Sequence, residues 1–161
     1  MLQAGDMAPD FAVPVLVGGV KKQVRLSEHR GKQHLVLAFY PANWEPVSAQ
    51  QMVAYQVERG KFLARQAEVL AISVESIMNT TSWEREIGPF DFLLGSDFWP
   101  HGEVSRRYGV LRETGPLQGA SERALFVVDK AGAIRFARTY PVDQLPDIEE
   151  TLNALRELSR S

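Results

Sequence analysis

The fold of this chain is decided by residues 34–48, which read HLVLAFYPANWEPVS. The apolar run at residues 34–40 is stopped by Pro41, and such an uninterrupted run is typical of a strand buried on both faces of a sheet. Pro46 can open a helix, because its missing N–H would be unpaired in the first turn anyway. The stretch therefore predicts a central strand, a short turn and a helix that carries Ser48 in its first turn.

The rest of the chain alternates between strand and helix patterns. A pair of glycines separates β-prone pieces at residues 11–17 and 24–26, which predicts an N-terminal β-hairpin. A capping-box pattern, Thr81 with Glu84 three residues later, predicts the start of a short helix. Strands alternating with helices predict an α/β fold with a mixed central sheet flanked by helices. Further strands are expected at residues 69–74, 92–94, 125–129 and 133–137, and further helices at residues 47–64, 103–108 and from Pro146 onward.

The length and composition of the chain indicate what kind of protein it is. A chain of 161 residues fits one domain, which we expect to span residues 1–161. Its 18 basic and 20 acidic residues are scattered, so we expect no binding to nucleic acid. Without a signal-like N-terminus or a membrane-length apolar run, we expect a cytoplasmic protein with no membrane contact. The absence of cysteine excludes thiol chemistry, and the three scattered histidines lead us to expect neither a metal nor a cofactor.

Several sequence blocks resemble the peroxiredoxin family, which includes the alkyl hydroperoxide reductases and thiol-specific antioxidants. Residues 39–41, FYP, match the motif before the family's active site, and residues 5–11, GDMAPDF, match its opening block. Residues 94–102, LGSDFWPHG, are especially similar to the one-cysteine alkyl hydroperoxide reductase E type, and residues 123–129 are similar to the strand with the family's active-site Arg. The resemblance implies a thioredoxin-like fold of the peroxiredoxin type, membership of an antioxidant oxidoreductase family, and a homodimer.

The resemblance also identifies the candidate site residues, several of which depart from the family pattern. In the family a Thr follows the FYP motif by four residues, and the peroxidatic Cys follows that Thr by three. Here Glu45 stands at the Thr position, Ser48 at the Cys position and Gln51 at a position that is often acidic. Pro41 and Arg123 are both kept. Three polar positions of the implied site have therefore changed together.

These changes remove the chemistry of a thiol peroxidase. A serine hydroxyl is barely ionised without a general base and cannot stop at a stable sulfenic acid. The carboxylate of Glu45 only accepts hydrogen bonds, so it cannot hold a peroxide oxygen as a Thr hydroxyl does. Its charge would also raise the pKa of a thiol restored at position 48. We therefore expect a peroxiredoxin-family protein that does not turn over peroxide.

Two histories explain such a sequence. A laboratory Cys-to-Ser change in an active hydroperoxide reductase predicts that the neighbouring site residues stay intact. Natural loss of the activity predicts several linked departures on a retained scaffold. Glu45 and Gln51 depart together with Ser48, so we favour natural loss.

Single residues of the site each have two interpretations. Ser48 is either a nucleophile, with His101 as base and Glu45 or Asp97 as orienter, or a serine that caps its helix. We favour the cap, because no nucleophile-elbow motif surrounds Ser48.

Arg123 either binds a small anion or forms a structural ion pair with Glu45 or Glu122, and we favour the ion pair. Three aromatic residues, Trp44, Phe98 and Trp99, flank the implied site. They either line a pocket or subunit contact, or pack in the ordinary way. A second functional hypothesis follows, in which the chain is a binding or regulatory protein that engages a small anion or protein partner through the altered pocket or the dimer surface.

Overall fold

The computed structural model describes residues 1–160. In this part of the chain, seven strands form one mixed sheet. The strands are β1 Ala12–Val17, β2 Val20–Arg25, β3 His34–Phe39, β4 Ala67–Ser73, β5 Leu93–Ser96, β6 Arg123–Val128 and β7 Ile134–Tyr140. They lie side by side in the order β2-β1-β5-β4-β3-β6-β7. The predicted α/β fold with a mixed central sheet is confirmed.

β3 lies inside the sheet, as its apolar sequence predicts. It runs parallel to β4 and antiparallel to β6, and its side chains from Leu35 to Phe39 are buried. β4 and β5 are also parallel, so the carboxyl ends of β3, β4 and β5 meet at one edge of the sheet. The loops that follow these three strands therefore converge at that edge, which is where α/β proteins commonly place their functional groups.

Across the described residues, five α-helices cover the sheet: α1 Pro46–Val57, α2 Arg59–Ala64, α3 Ile77–Ile87, α4 Glu103–Arg107 and α5 Ile148–Leu158. A short 3-10 helix also spans Leu26–His29. The first three and α5 contribute to one apolar core, whereas α4 belongs to the core on the opposite face. The predicted stripe of Met52, Tyr55 and Phe62 is buried in the first of these cores. Within residues 1–160, no helix has both the length and the apolar character needed to cross a membrane.

The N-terminal hairpin is present, but its second strand is longer than predicted. β1 pairs antiparallel with β2 on one side and with β5 on the other, so the hairpin extends the main sheet. β2 begins at Val20, directly after the two glycines, rather than at residue 24. Its residues Lys21, Lys22 and Gln23 are exposed on the edge of the sheet. Charged side chains are common on such an edge, so an apolar pattern does not reveal this part of the strand.

Two helix predictions need correction. The helix expected over residues 47–64 is divided at Glu58, which is the C-cap of α1 and the N-cap of α2. The capping box predicted at Thr81 is wrong, because α3 begins directly after Ser76, whose side chain is the N-cap. Thr81 lies inside this helix and donates its hydroxyl to the carbonyl four residues earlier. Hydroxyl side chains can bond backbone groups in either position, so the spacing alone does not locate the helix start.

Candidate functional site

Glu45 closes the first turn of α1. It is the N-cap residue, and its Oε1 accepts from the backbone N–H of Val47 over 2.8 Å, while its Oε2 accepts from the backbone N–H of Ser48 over 2.7 Å. Pro46 occupies the first helical position, where no N–H is needed. The carboxylate therefore satisfies two otherwise free donors and places a negative charge at the positive end of the helix dipole.

Arg123 approaches the same carboxylate from the neighbouring strand. It begins β6, next to Ala124, which is paired with Phe39 at the carboxyl end of β3. The Arg123 side chain is fully buried, and its Nη2 donates to Oε2 of Glu45 over 2.8 Å. Of the two predicted ion-pair partners, Glu122 instead contacts another guanidinium, that of Arg112, over 3.1 Å.

The remaining donors of Arg123 are also occupied. Nη1 donates to Oγ of Ser48 over 3.1 Å and to Oε1 of Gln51 over 2.8 Å. The backbone carbonyl of Val142 accepts from Nε over 3.0 Å and from Nη2 over 2.7 Å. A guanidinium has five N–H groups, and with the bond to Glu45 all five have an acceptor within the chain. No donor of Arg123 is left for a second ligand.

Ser48 does not cap its helix as predicted, because Glu45 is the N-cap and the Ser48 hydroxyl bonds to side chains rather than to a backbone N–H. Its side chain is buried, and its hydroxyl donates to Oε2 of Glu45 over 2.8 Å while accepting from Arg123. A second serine of the chain is bound in the same way, because Ser105 donates both its backbone N–H and its hydroxyl to Oδ2 of Asp97, each over 2.8 Å. The common pattern is a carboxylate that bridges the N–H and hydroxyl of a serine near a helix start.

Charge and burial act in opposite directions on this pair. Partial burial alone would raise the pKa of Glu45, but hydrogen bonds from Ser48, Val47 and Arg123 outweigh it and hold that pKa below its ordinary value. Burial lowers the pKa of Arg123, while Glu45 opposes the shift. Arginine stays protonated in proteins, so the site holds one cation and one carboxylate in contact.

Gln51 links Arg123 to the helix core. Its Oε1 accepts from Arg123, and its Nε2 donates to the hydroxyl of Tyr55 over 2.9 Å. Burial raises the pKa of Tyr55 to about 12, so its hydroxyl stays neutral. In the family that the chain resembles, position 51 is often acidic and position 48 is the peroxidatic Cys. Here both positions are neutral, and the negative charge next to Arg123 is carried by Glu45.

The loop between β3 and α1 is fixed by a network that the sequence did not reveal. Pro41 is buried two residues after the end of β3, where the chain leaves the sheet. The buried Asn43 accepts from the hydroxyl of Tyr40 over 2.8 Å and donates to Asn79 over 2.9 Å. Trp44 has the left-handed φ of 67° and is 53% exposed, and its indole N–H also donates to Asn79, over 3.1 Å. Trp44 is therefore held facing outward.

The other predicted aromatic residues follow β5. Phe98 and Trp99 are 49% and 73% exposed, and the ring centroid of His101 lies 4.8 Å from that of Trp99. Phe98 and His101 line a cavity of about 440 Å³ together with Val74, Arg106, Leu111, Arg112, Glu113, Gln118 and Gly119. This cavity is separate from the buried group around Arg123, which contributes none of its lining residues.

The nucleophile interpretation of Ser48 gains no support from these contacts. The hydroxyl bonds to Glu45 and Arg123, and the Asp97 carboxylate is held by the first turn of α4. His101 packs against aromatic rings instead. Residues 1–160 contain no group of three or more His, Asp or Glu side chains placed to hold a metal ion.

Known proteins resemble the chain over nearly its whole length. Alkyl hydroperoxide reductase E of Mycobacterium tuberculosis is 34% identical over 159 residues, which cover 99% of each chain. Peroxiredoxin-2 of Mus musculus is 32% identical over 160 residues, which cover 96% of this chain and 76% of the relative. The crystal structure of the reduced 2-Cys peroxiredoxin of Plasmodium vivax has the same fold, with a TM-score of 0.91 at 23% identity, covering 99% of this chain and 83% of that one.

The pattern of one protein family, AhpC/TSA, matches residues 4–137. The predicted resemblance to peroxiredoxins, including the reductase E type, is thereby confirmed, as is the thioredoxin-like fold. The chain therefore belongs to the AhpC/TSA family of peroxiredoxins, although it contains no cysteine.

Proposed function

We propose that this chain is a peroxiredoxin-family protein that has lost thiol peroxidase chemistry and acts by binding rather than by catalysis. The observation that carries this proposal is the 2.8 Å contact between Glu45 and Arg123, together with the full occupation of the Arg123 donors by the chain itself. A peroxide would have to compete with a tethered carboxylate for these donors, and it would find no thiol beside them.

The serine does not substitute for the missing thiol. Ser48 is buried, and its hydroxyl proton is directed at Glu45. Because the pKa of Glu45 is below its ordinary value, this carboxylate is a weak base. A serine nucleophile needs a base that takes its proton, as histidine does in hydrolases, so the arrangement favours a structural role for Ser48.

The contacts also support natural loss rather than a laboratory change. Glu45 and Gln51, the two departures that accompany Ser48, both bond directly to Arg123. A Cys-to-Ser change made in an active enzyme would leave the original Thr and acidic residue in place. The three positions instead form one mutually satisfied group, as expected for substitutions that accumulated together.

Peroxide consumption tests the loss of activity. The unmodified chain with a thiol reductant should consume hydroperoxide no faster than buffer. Ser48→Cys alone should give weak activity at best, because Glu45 still occupies Arg123, and Ser48→Cys with Glu45→Thr should give more. Turnover by the unmodified chain would contradict the proposal, and full activity of the single variant would favour the laboratory history.

We further propose that the binding surface is an aromatic rim formed by Trp44, Phe98 and Trp99, and that it joins two copies of the chain as a homodimer. All three side chains are exposed although they are large and apolar, and they follow strands that end at the same edge of the sheet. Trp44 is held outward by Asn79 in a left-handed backbone conformation, which is uncommon for a bulky residue and often marks a functional position. Aromatic side chains are enriched at protein interfaces.

Sedimentation equilibrium tests whether the aromatic rim forms a dimer interface. The unmodified chain should form a dimer, and Trp99→Ala should raise the dissociation constant at least about tenfold, as expected for an aromatic residue at the centre of an interface. Val57→Ala is the matched control, because Val57 is equally exposed at 73% but lies on α1. A monomer at all concentrations, or equal effects of both variants, would contradict this role. The scattered charges support a protein without nucleic-acid partners.

A further inference from the structure

The carboxylate of Glu45 is bound as a free carboxylate ion would be. One oxygen accepts from the backbone N–H of Val47, and the other accepts from the backbone N–H and hydroxyl of Ser48 and from Arg123. These four donors lie 2.7–2.8 Å away, which is typical of charge-assisted hydrogen bonds. The two oxygens together thus have a helix start, a hydroxyl and a guanidinium as partners.

We propose that the group around Arg123 is a carboxylate-binding site whose ligand is the chain's own Glu45, which holds the site shut as a tethered ligand. This inference rests on the proposed function, in which the chain itself occupies all donors of Arg123. It identifies the carboxylate of Glu45 as the group that closes the site. In the unmodified chain the tethered carboxylate excludes free anions. Once the Glu45 side chain is removed, the site binds a short monocarboxylate.

An ordinary helix cap does not have this environment. Asp147, the N-cap of α5, accepts from a single backbone N–H, that of Glu149. Glu45 receives two backbone N–H groups and, in addition, the fully buried Arg123. A buried cation without a partner is strongly unfavourable, so removing Glu45 leaves a requirement for an anion that removing Asp147 does not leave.

The volume that Glu45→Ala vacates, and its opening to solvent, determine which ligand fits the site. Glu45→Ala removes the side chain beyond Cβ, which is one CH2 and one carboxylate, the heavy atoms of an acetate ion. The Glu45 side chain is 29% exposed, whereas Arg123, Ser48 and Gln51 are at most 2% exposed. The vacated volume therefore opens to solvent at the place where Glu45 now lies, and the buried donors form its inner wall.

Thermal unfolding tests the tethered ligand. The unmodified chain, Glu45→Ala and Glu45→Gln are compared at pH 7 in sodium acetate and in sodium chloride of equal ionic strength. We expect about 100 mM acetate to raise the Tm of Glu45→Ala by about 3 °C or more relative to chloride, with saturation at higher concentration. The unmodified chain and Glu45→Gln should show no acetate-specific shift, because their sites remain filled.

Asp147→Ala is the matched control, since it removes a capping carboxylate that has no arginine partner. An acetate-specific shift confined to Glu45→Ala supports the tethered ligand, and its absence, or an equal shift in Asp147→Ala, overturns it. If Glu45→Ala does not fold in chloride, its refolding yield is the measurement, and equal failure in acetate overturns the inference. Peroxide turnover by the unmodified chain would overturn the proposed function without deciding this test.

Discussion

Oε2 of Glu45 lies 2.8 Å from Nη2 of Arg123, and the same carboxylate caps α1. One carboxylate therefore stabilises both a buried cation and a helix start. Among the described residues 1–160, it is the carboxylate that pairs with this guanidinium. Position 48, inside α1, is a neutral serine. The charge of Arg123 is therefore balanced by Glu45, which precedes the first residue of the helix. This relationship has consequences for stability, for thiol chemistry and for the neighbouring position 51.

Removing the charge of Glu45 should destabilise the fold. Glu45→Gln keeps the size of the side chain but leaves Arg123 buried without a counter-ion, and we expect a loss of about 2–3 kcal/mol at pH 7, which is less than for a fully buried pair. Because the pKa of Glu45 is lowered in the folded state, its contribution is present above the unfolded value of about 4.3 and is lost at lower pH. Urea unfolding should therefore show a constant difference from pH 8 to about 5 that narrows below about pH 4. Glu149→Gln, in an exposed ion pair with Arg156, should cost less than about 1 kcal/mol.

A cysteine restored at position 48 should titrate differently with and without Glu45. The nearby carboxylate disfavours the thiolate, so the thiol pKa in Ser48→Cys should lie at least about one unit above that in Ser48→Cys with Glu45→Thr. The ultraviolet absorbance of the thiolate as a function of pH measures both values. Ser48→Cys with Glu75→Gln is the control, because Glu75 bonds the backbone N–H of Asn43 rather than Arg123. Equal thiol pKa values in all three proteins would refute this electrostatic role of Glu45.

A glutamate at position 51 should be able to replace Glu45 as the counter-ion of Arg123. Gln51→Glu alone places two carboxylates on one buried guanidinium and should destabilise the protein. In a Glu45→Thr background the same change supplies the missing charge, and it should stabilise by about 1–3 kcal/mol. A double-mutant cycle by urea unfolding measures the coupling between the two positions. Additive effects would show that the two positions do not share the charge of Arg123.

Glu84 should limit stability at neutral pH. It is buried on α3, its Oε2 has no hydrogen-bond partner, and burial raises its pKa despite hydrogen bonds from the backbone of Phe90 and Gly19. A raised folded-state pKa means that stability is lost as pH rises from the unfolded value of about 4.3 through the folded one. Glu84→Gln should remove this loss and stabilise the protein by about 1 kcal/mol at pH 7, with little effect at pH 4. Glu86→Gln, exposed on the same helix, is the control, and an equal change in both variants would contradict the role of burial.

The parts of the molecule that follow from local sequence could be predicted. The apolar run at residues 34–40 and Pro46 depend on neighbouring residues only, so the central strand and the position of Ser48 in the first turn of α1 were correct. The ion pair of Arg123 with Glu45 was one of two predicted partners, and the structure selects it because Glu122 contacts Arg112.

Contacts between distant loops could not be predicted. The carbonyl of Val142 accepts two hydrogen bonds from Arg123, but every residue has a carbonyl, so no residue type marks this one. The bonds that hold Trp44 and Asn43 to Asn79 join segments more than thirty residues apart. Their geometry depends on how α3 packs beside the sheet, which the local pattern does not contain.

The full occupation of the Arg123 donors is an obstacle to restoring thiol chemistry at this site by one substitution. A mutation that restores cysteine at position 48 meets a carboxylate that suppresses its thiolate and a guanidinium with no donor to spare. A mutation that first removes Glu45 leaves a buried arginine without an anion. Each single change is therefore unfavourable on its own, so we expect a functional thiol at position 48 to require changes at positions 45 and 48 together.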